Sequence, residues 1–302
     1  MPHELVHIVV LVVLLALAVG FFFGAVKAFK YAHVIMDTPA SKIRSAAQGY
    51  VELQGIIKPL TQPLIAPLTN SPCCWYEYLI EEEYTTVNSK GETVTDWRTV
   101  DSHASSHLFY IEDDTGRVVV YPLSAEVTAK SHDVWYGSSL QQYAGASGVS
   151  SIFSQLVGSL TGTNYRFTEW RLDADQQLVA LGFFHTCRKD ETPFALDHVQ
   201  ANRQQLLQKK RAVLSRHKVL RGLADALVSG GSQQLANVEQ EWGTVLQQQD
   251  AKVCHVLHKK ERPFILSSYS EKKLVRKYYW RTAGCTIGFV FFVVMFLLML
   301  GR

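Results

Sequence analysis

Two long runs without a charged side chain, one at each end, constrain what this chain can fold into more than anything between them. From Leu5 to Val26 the one strongly polar side chain is His7. As a helix rising about 1.5 Å per residue, the run reaches about 33 Å, enough to cross the hydrocarbon core of a bilayer. Ala283 to Gly301 carries no charge either and reaches about 28 Å. A cleaved signal peptide has a shorter apolar stretch, about 7 to 15 residues, with a small-x-small site behind it, so the first run reads better as an anchor. The second run lies at the extreme C-terminus, where burial as a core helix is hard and insertion easy. The expected order is an anchor over 1–30, a β-rich domain over 31–195, a helical hairpin over 196–250, the end of the domain with a basic juxtamembrane segment over 251–281, and a transmembrane helix over 282–302.

Lys and Arg accumulate on the cytoplasmic side of membrane spans, which orients the domain. Lys27 and Lys30 follow the first run, and Lys272, Lys273, Arg276, Lys277 and Arg281 precede the second, so the intervening domain is expected to face the cytoplasm. The 302 residues carry a net charge of +3, which these flanks and one basic helix largely account for, and no nucleic-acid partner is expected. Five cysteines, with Cys73 and Cys74 adjacent, do not suggest a disulfide framework.

Between the anchors, apolar alternation predicts strands at Tyr50–Ile57, Trp75–Tyr84, Thr93–Val100, Leu108–Glu112 and Arg117–Tyr121. Turn residues lie at Asn88–Gly91 and Asp113–Gly116, and the proline-rich stretch Lys58–Pro72 predicts loop or edge structure. After a Gly/Ser-rich loop over 137–162, Tyr165–Leu172 and Leu178–Phe184 read as a strand pair with Asp173–Gln176 between them. Leucines at helical spacing from Leu206 to Leu227 predict the helical hairpin, and Val253–Leu257 a last strand. The fold class is therefore α+β, a mostly antiparallel domain with a helical hairpin inserted and a transmembrane helix on either flank.

Few residues have the spacing that chemistry demands. No C-x-x-C pair exists, and His103 and His107, four apart on a strand, would lie about 13 Å from each other, too far to share one metal ion. Neither glycine-rich phosphate motif occurs, so no metal and no cofactor is expected. Cys73 or Cys74 as a nucleophile would require a base delivered by the fold; the plainer reading is a buried small residue beside Trp75. Glu81–Glu83 reads as a solvated strand end. Lys209, Lys210 and Arg211 form the centre of a basic, leucine-backed helix that can lie on anionic lipid headgroups or simply face solvent. Gly20 and Gly24 form a small-x-x-x-small pattern suited to close helix packing.

Four segments together resemble one family: Ile43–Gly55, Ala66–Tyr76, Phe109–Tyr121 and Pro263–Ser268 before the second span. They are similar to the GIDE family, also called MULAN, of membrane-anchored E3 ubiquitin ligases, whose "beside a membrane" domain sits between two transmembrane helices. The residues that carry the resemblance include Gly49, Glu52, Gly55, Pro72, Cys73, Trp75, Tyr76 and Gly116, and their chemistry suggests structural roles; a groove lined by Trp75, Tyr76 and Tyr78 is the sharper alternative. In that family ligase activity resides in a zinc-binding RING after the second span, whereas this sequence closes at Arg302. The resemblance therefore implies a recognition or scaffold domain with an unidentified protein partner. Members of this form look bacterial, which would make the membrane an inner membrane. Participation in ubiquitin-type transfer, with the RING supplied by another chain, is the second reading, and lipid sensing by the basic helix the third.

Overall fold

A computed structural model of the chain describes residues 2–87, 90–138, 164–188, 240–241, 243–245, 253–260 and 262–300. The chain divides into two compact units, Met1–Ala40 with Tyr269–Arg302, and Ser41–Ser268.

The first unit is a pair of long helices, α1 (Pro2–Asp37) and α2 (Glu271–Leu300). No proline interrupts α1 before Pro39, so the helix runs past Lys27 and Lys30; Thr38 Oγ1 donates to the Val34 carbonyl at 2.7 Å, and the residue preceding Pro39 is pushed out of helical geometry. Ser270 opens α2, its carbonyl accepting from the Lys273 and Leu274 N–H groups, and Glu271 complements the positive helix end. The basic segment and the apolar run thus form one continuous helix. Both helices are long and apolar enough to cross a membrane. Phe23, Ile287, Phe291 and Leu298 are each more than half exposed, a surface that water penalises and lipid accommodates.

Within this unit the helices pack antiparallel. Phe22 meets Phe289, Phe21 meets Phe292, and Tyr31 meets Tyr278, with ring centroids 5.3 to 5.6 Å apart. At the far end a ring nitrogen of His7 lies 3.0 Å from the Met299 carbonyl, which pairs the polar side chain of the first run. The close approach occurs at Gly288, where an added Cβ would stand 2.5 Å from Phe21 Cδ1. Gly24 faces Cys285, but Gly20 has no neighbour within 4 Å of a Cβ position. Only half of the expected Gly20/Gly24 pattern therefore lies at the seam, because the facing helix supplies the other glycine.

The second unit is built of strands. One sheet runs in the order β1 (Ala40–Ser41), β2 (Gly49–Pro59), β7 (Phe109–Asp113), β8 (Gly116–Val120), β13 (Val253–His258), β12 (Gln177–Arg188), β14 (Ile265–Ser267), β9 (Glu126–Thr128). Because β2 also pairs with β12, the strands β2, β7, β8, β13 and β12 return on themselves as a closed ring, which leaves those edges paired. A second, antiparallel sheet has the order β10 (Ser131–Gly137), β11 (Tyr165–Leu172), β5 (Trp75–Val87), β6 (Thr93–Ala104), and β3 (Leu64–Ile65) pairs with β4 (Pro72–Cys73). Among the described residues β8–β13 and β9–β14 pair in parallel while the long ladders are antiparallel, so the domain is mostly antiparallel, as the alternation predicts.

Both faces of β7 and β8 are covered. Phe109, Ile111, Val118 and Val120 join Leu53, Trp75, Phe184 and Phe264 in the main core, whereas the intervening Tyr110 and Val119 pack with Val245 and Val256 in a second cluster. This is why β7 and β8 read as continuous apolar runs. The expected strand pair of β11 and β12 does not form. Asp175 adopts φ +65, its N–H bonds to the Ile57 carbonyl at 2.9 Å, and the Ile57 N–H bonds to the Gln176 carbonyl at 2.9 Å, so the chain crosses from one sheet to the other. Most of the expected loop over 137–162 and of the helical hairpin over 196–250, including Lys209, Lys210 and Arg211, lies outside the described residues; Gln240–Glu241 and Gly243–Val245 are helical.

Candidate functional site

The segment Ala66–Tyr76 is organised around a carboxylate that its own sequence does not contain. Glu169 on β11 is fully buried and accepts from the Leu68 N–H at 2.9 Å, the Thr69 N–H at 3.0 Å and the Thr69 hydroxyl at 2.5 Å. Arg171 closes the network, donating to Asp133 at 2.7 Å and to the Thr69 hydroxyl at 3.1 Å. Asn70 takes a left-handed φ of 54°, and the Ala66 N–H bonds to the Ser71 carbonyl at 2.9 Å, folding the loop back on itself. Pro72 then starts β4. Cys73, Trp75 and Tyr76 are all buried, Trp75 in the main core and Tyr76 on the opposite side with Tyr78, Ile80 and Phe167, as strand alternation requires. A groove lined by Trp75, Tyr76 and Tyr78 is therefore not a surface of this domain.

The two cysteines are poor nucleophiles. Burial, followed by the charge of Glu169, pushes the Cys73 thiol up to about 12; burial, followed by Asp173 and Asp175, pushes Cys74 up to about 12. A thiol so protonated supplies little thiolate at neutral pH.

A second carboxylate clip lies at the β7–β8 turn. Asp113 accepts from the N–H groups of Ile43, Thr115 and Gly116 at 2.9, 2.7 and 3.0 Å and from the Thr115 hydroxyl at 2.6 Å. Burial acts to raise its pKa, but these hydrogen bonds outweigh burial and hold the carboxyl below its usual value. The Arg44 N–H donates to Thr115 Oγ1 at 3.1 Å and Lys42 pairs with Asp114, so residues 42–45 are tied down on this hairpin. Gly116 is thus placed as a donor to the clip.

The remaining signature residues lie along β2. Gly49 has φ +124, a left-handed conformation that favours glycine. A Cβ on Gly55 would stand 2.5 Å from the Glu112 carbonyl oxygen and 2.6 Å from Ile111 Cγ2. Glu52 is buried and accepts from Gln54 Nε2 at 2.7 Å.

Other charged candidates are engaged in ion pairs or kept apart. Glu81 pairs with Arg166 at 2.7 Å and Glu82 with Arg98 at 2.5 Å, while Glu83 accepts from Asn164 at 2.7 Å. His103 lies tilted against the Tyr76 and Tyr78 rings, whereas His107 pairs with Glu241. No group of three or more His, Cys, Asp or Glu side chains converges among the described residues. Sequence reasoning missed Glu169, although one signal existed: on β11 it shares a face with Tyr165 and Phe167, an inward position where an apolar residue is expected.

A β-domain carried by two helices of membrane length defines the class of protein. Residues 80–203 match the family model GIDE, described as E3 ubiquitin ligase. Over those residues the chain is similar to a GIDE domain. The match begins in β5 and contains Phe109–Tyr121, while the other three segments of the resemblance flank it. No curated protein and no solved structure matches this chain.

Proposed function

We propose that this chain is a membrane-anchored recognition module of the E3-ligase-related class, whose β-domain faces the cytoplasm and binds a protein partner rather than performing ligation with its own side chains. The observation that carries this reading is the use made of the matched and signature residues. Glu169 and Asp113 hold loops, Gly55 permits close strand packing, Trp75 and Tyr76 fill cores, and the Cys73 and Cys74 thiols are desolvated. That pattern supports structural roles for the signature residues and leaves binding to the surface around them. The cationic flanks of the two spans support the cytoplasmic orientation.

The family description favours a second reading, a component of ubiquitin-type transfer in which another chain supplies the catalytic surface. One experiment separates the two. The full-length protein is isolated from its membrane in mild detergent beside a chain lacking residues 30–280 and a Cys73→Ala/Cys74→Ala variant, with bound proteins identified by mass spectrometry and ubiquitin transfer assayed on the eluates. A recognition module retains its partner in the cysteine variant and loses it with the deletion. Ubiquitin transfer by the parent eluate that is lost with the domain would favour the second reading, and transfer that disappears in a folded cysteine variant would overturn the first.

A further inference from the structure

Tyr50, Phe183 and His258 are cross-strand neighbours on β2, β12 and β13, so their side chains form one row across the barrel wall. His258 is buried at the end of this row, and Lys260 and Arg262, which come after it, each lie over one of the two rings. Lys260 Nζ lies 4.4 Å from the Phe183 ring centroid and the Arg262 guanidinium 5.4 Å from that of Tyr50. Two side chains hold backbone carbonyls here: Lys259 Nζ donates to the Arg262 carbonyl at 2.5 Å and the Tyr50 hydroxyl to the Pro263 carbonyl at 2.7 Å. Tyr50, Phe183, Lys260 and Arg262 line a cavity of about 290 Å³. Both cations are exposed, and neither forms an ion pair with a carboxylate among the described residues.

We propose that this cavity binds a phosphate ester, the phosphorylated headgroup of a membrane lipid, with Lys260 and Arg262 taking the phosphate oxygens and the Tyr50 and Phe183 rings packing against the carbon skeleton that bears it. An ammonium and a guanidinium present several N–H donors to one space, which suits the several acceptor oxygens of a phosphate better than the two of a carboxylate. The volume lies at the lower end of small-molecule sites, about 300 Å³, and fits a headgroup rather than an acyl chain. The lipid source follows from the chain itself, because Tyr50 and Arg262 lie a short stretch of sequence from helices of membrane length, and tethering raises the effective concentration of headgroups around the domain. The inference rests on the membrane-anchored part of the proposed function and is independent of any protein partner.

The test is calorimetric titration of the full chain in non-ionic detergent with dioctanoyl phosphatidic acid, glycerol 3-phosphate and dioctanoyl phosphatidylcholine. Phosphatidic acid is expected to bind and phosphatidylcholine not to. Lys260→Ala/Arg262→Ala should weaken binding about tenfold or more. Lys42→Ala/Lys58→Ala, which removes the same charge where both lysines pair with aspartates, should leave binding unchanged. Glycerol 3-phosphate binding as tightly as the lipid would support the phosphate site and assign its source to soluble esters. Absence of binding by both phosphates would overturn the proposal, as would an unchanged affinity in the folded Lys260→Ala/Arg262→Ala variant. Both substituted side chains are exposed, and a circular dichroism melt checks that the variant folds.

Discussion

Glu169→Ala tests whether the Ala66–Ser71 loop depends on a buried carboxylate as its geometry implies. The substitution removes the acceptor for the Leu68 and Thr69 N–H groups and for the Thr69 hydroxyl, and an anionic neighbour of Arg171 at 3.5 Å. Leu68 is buried, so its N–H cannot turn to water, and a donor left so costs about 1 to 3 kcal/mol. Thr69 is partly exposed and recovers some bonding from solvent, while Arg171 keeps Asp133. Adding the lost charge-assisted bonds gives about 3 to 5 kcal/mol in all, the range expected when one partner of a buried charged network is removed. Glu169→Gln retains one oxygen but sets an amide N–H₂ against a donor, so it should cost about 1 to 2 kcal/mol. The assay is urea unfolding of the full chain in detergent, followed by tryptophan fluorescence. With a slope near 3 kcal/mol per M, the alanine variant should unfold at about 1 to 1.7 M less urea, and the glutamine variant between it and the parent. A midpoint within about 0.3 M of the parent for Glu169→Ala would refute the reasoning.

Gly55→Ala drives a methyl group into the Glu112 carbonyl oxygen, whose backbone position is fixed by the β2–β7 ladder; a loss of about 1 to 3 kcal/mol is expected, read as a lowered thermal midpoint. Cys73 and Cys74 should resist iodoacetamide at pH 8 while the domain is folded and react on addition of urea, since raising a thiol from 9 to about 12 cuts its thiolate about a thousandfold; equal rates in both states would contradict their burial. Stability should fall with acid in two stages. Burial lowers the pKa of His255 below 6.5, so its contribution is complete above that value and declines as pH drops through the lower folded value; Asp113, also depressed in the fold, contributes above its unfolded value near 3.8 and loses that contribution below it. Asp113→Asn should flatten the lower stage and leave the upper one intact in a pH series of melts.

Much of the domain was legible because alternation and turn chemistry act locally. The Asp113–Gly116 turn is an instance: a carboxylate at its first position accepts from the N–H groups behind it whatever the rest of the chain does. The break between β11 and β12 was not legible for the converse reason. Asp173-Ala-Asp-Gln has the composition of a hairpin turn, and only the distant Ile57 and Cys74, which bond its backbone and that of Leu172, decide that the chain changes sheet there. Ring closure has the same character, since β8 meets β13 over a short parallel ladder between residues far apart in sequence, a pairing that no local pattern encodes.

The candidate site divides along the same line. Pro72, Trp75 and Tyr76 could be singled out from sequence, but their organising partner Glu169 comes from another strand, and its inward position is meaningful only once β11 is paired with β5. A carboxylate fully enclosed by N–H and hydroxyl donors has no lone pair facing solvent with which to engage a substrate. A cation resting on an aromatic ring beside an open cavity still has its donors available. Charge on the described surface is therefore better placed for binding at Lys260 and Arg262 than at the signature loop. The signature loop packs against the second sheet, whereas the residues that would meet a ligand lie on β2 and β12 of the barrel and just after β13.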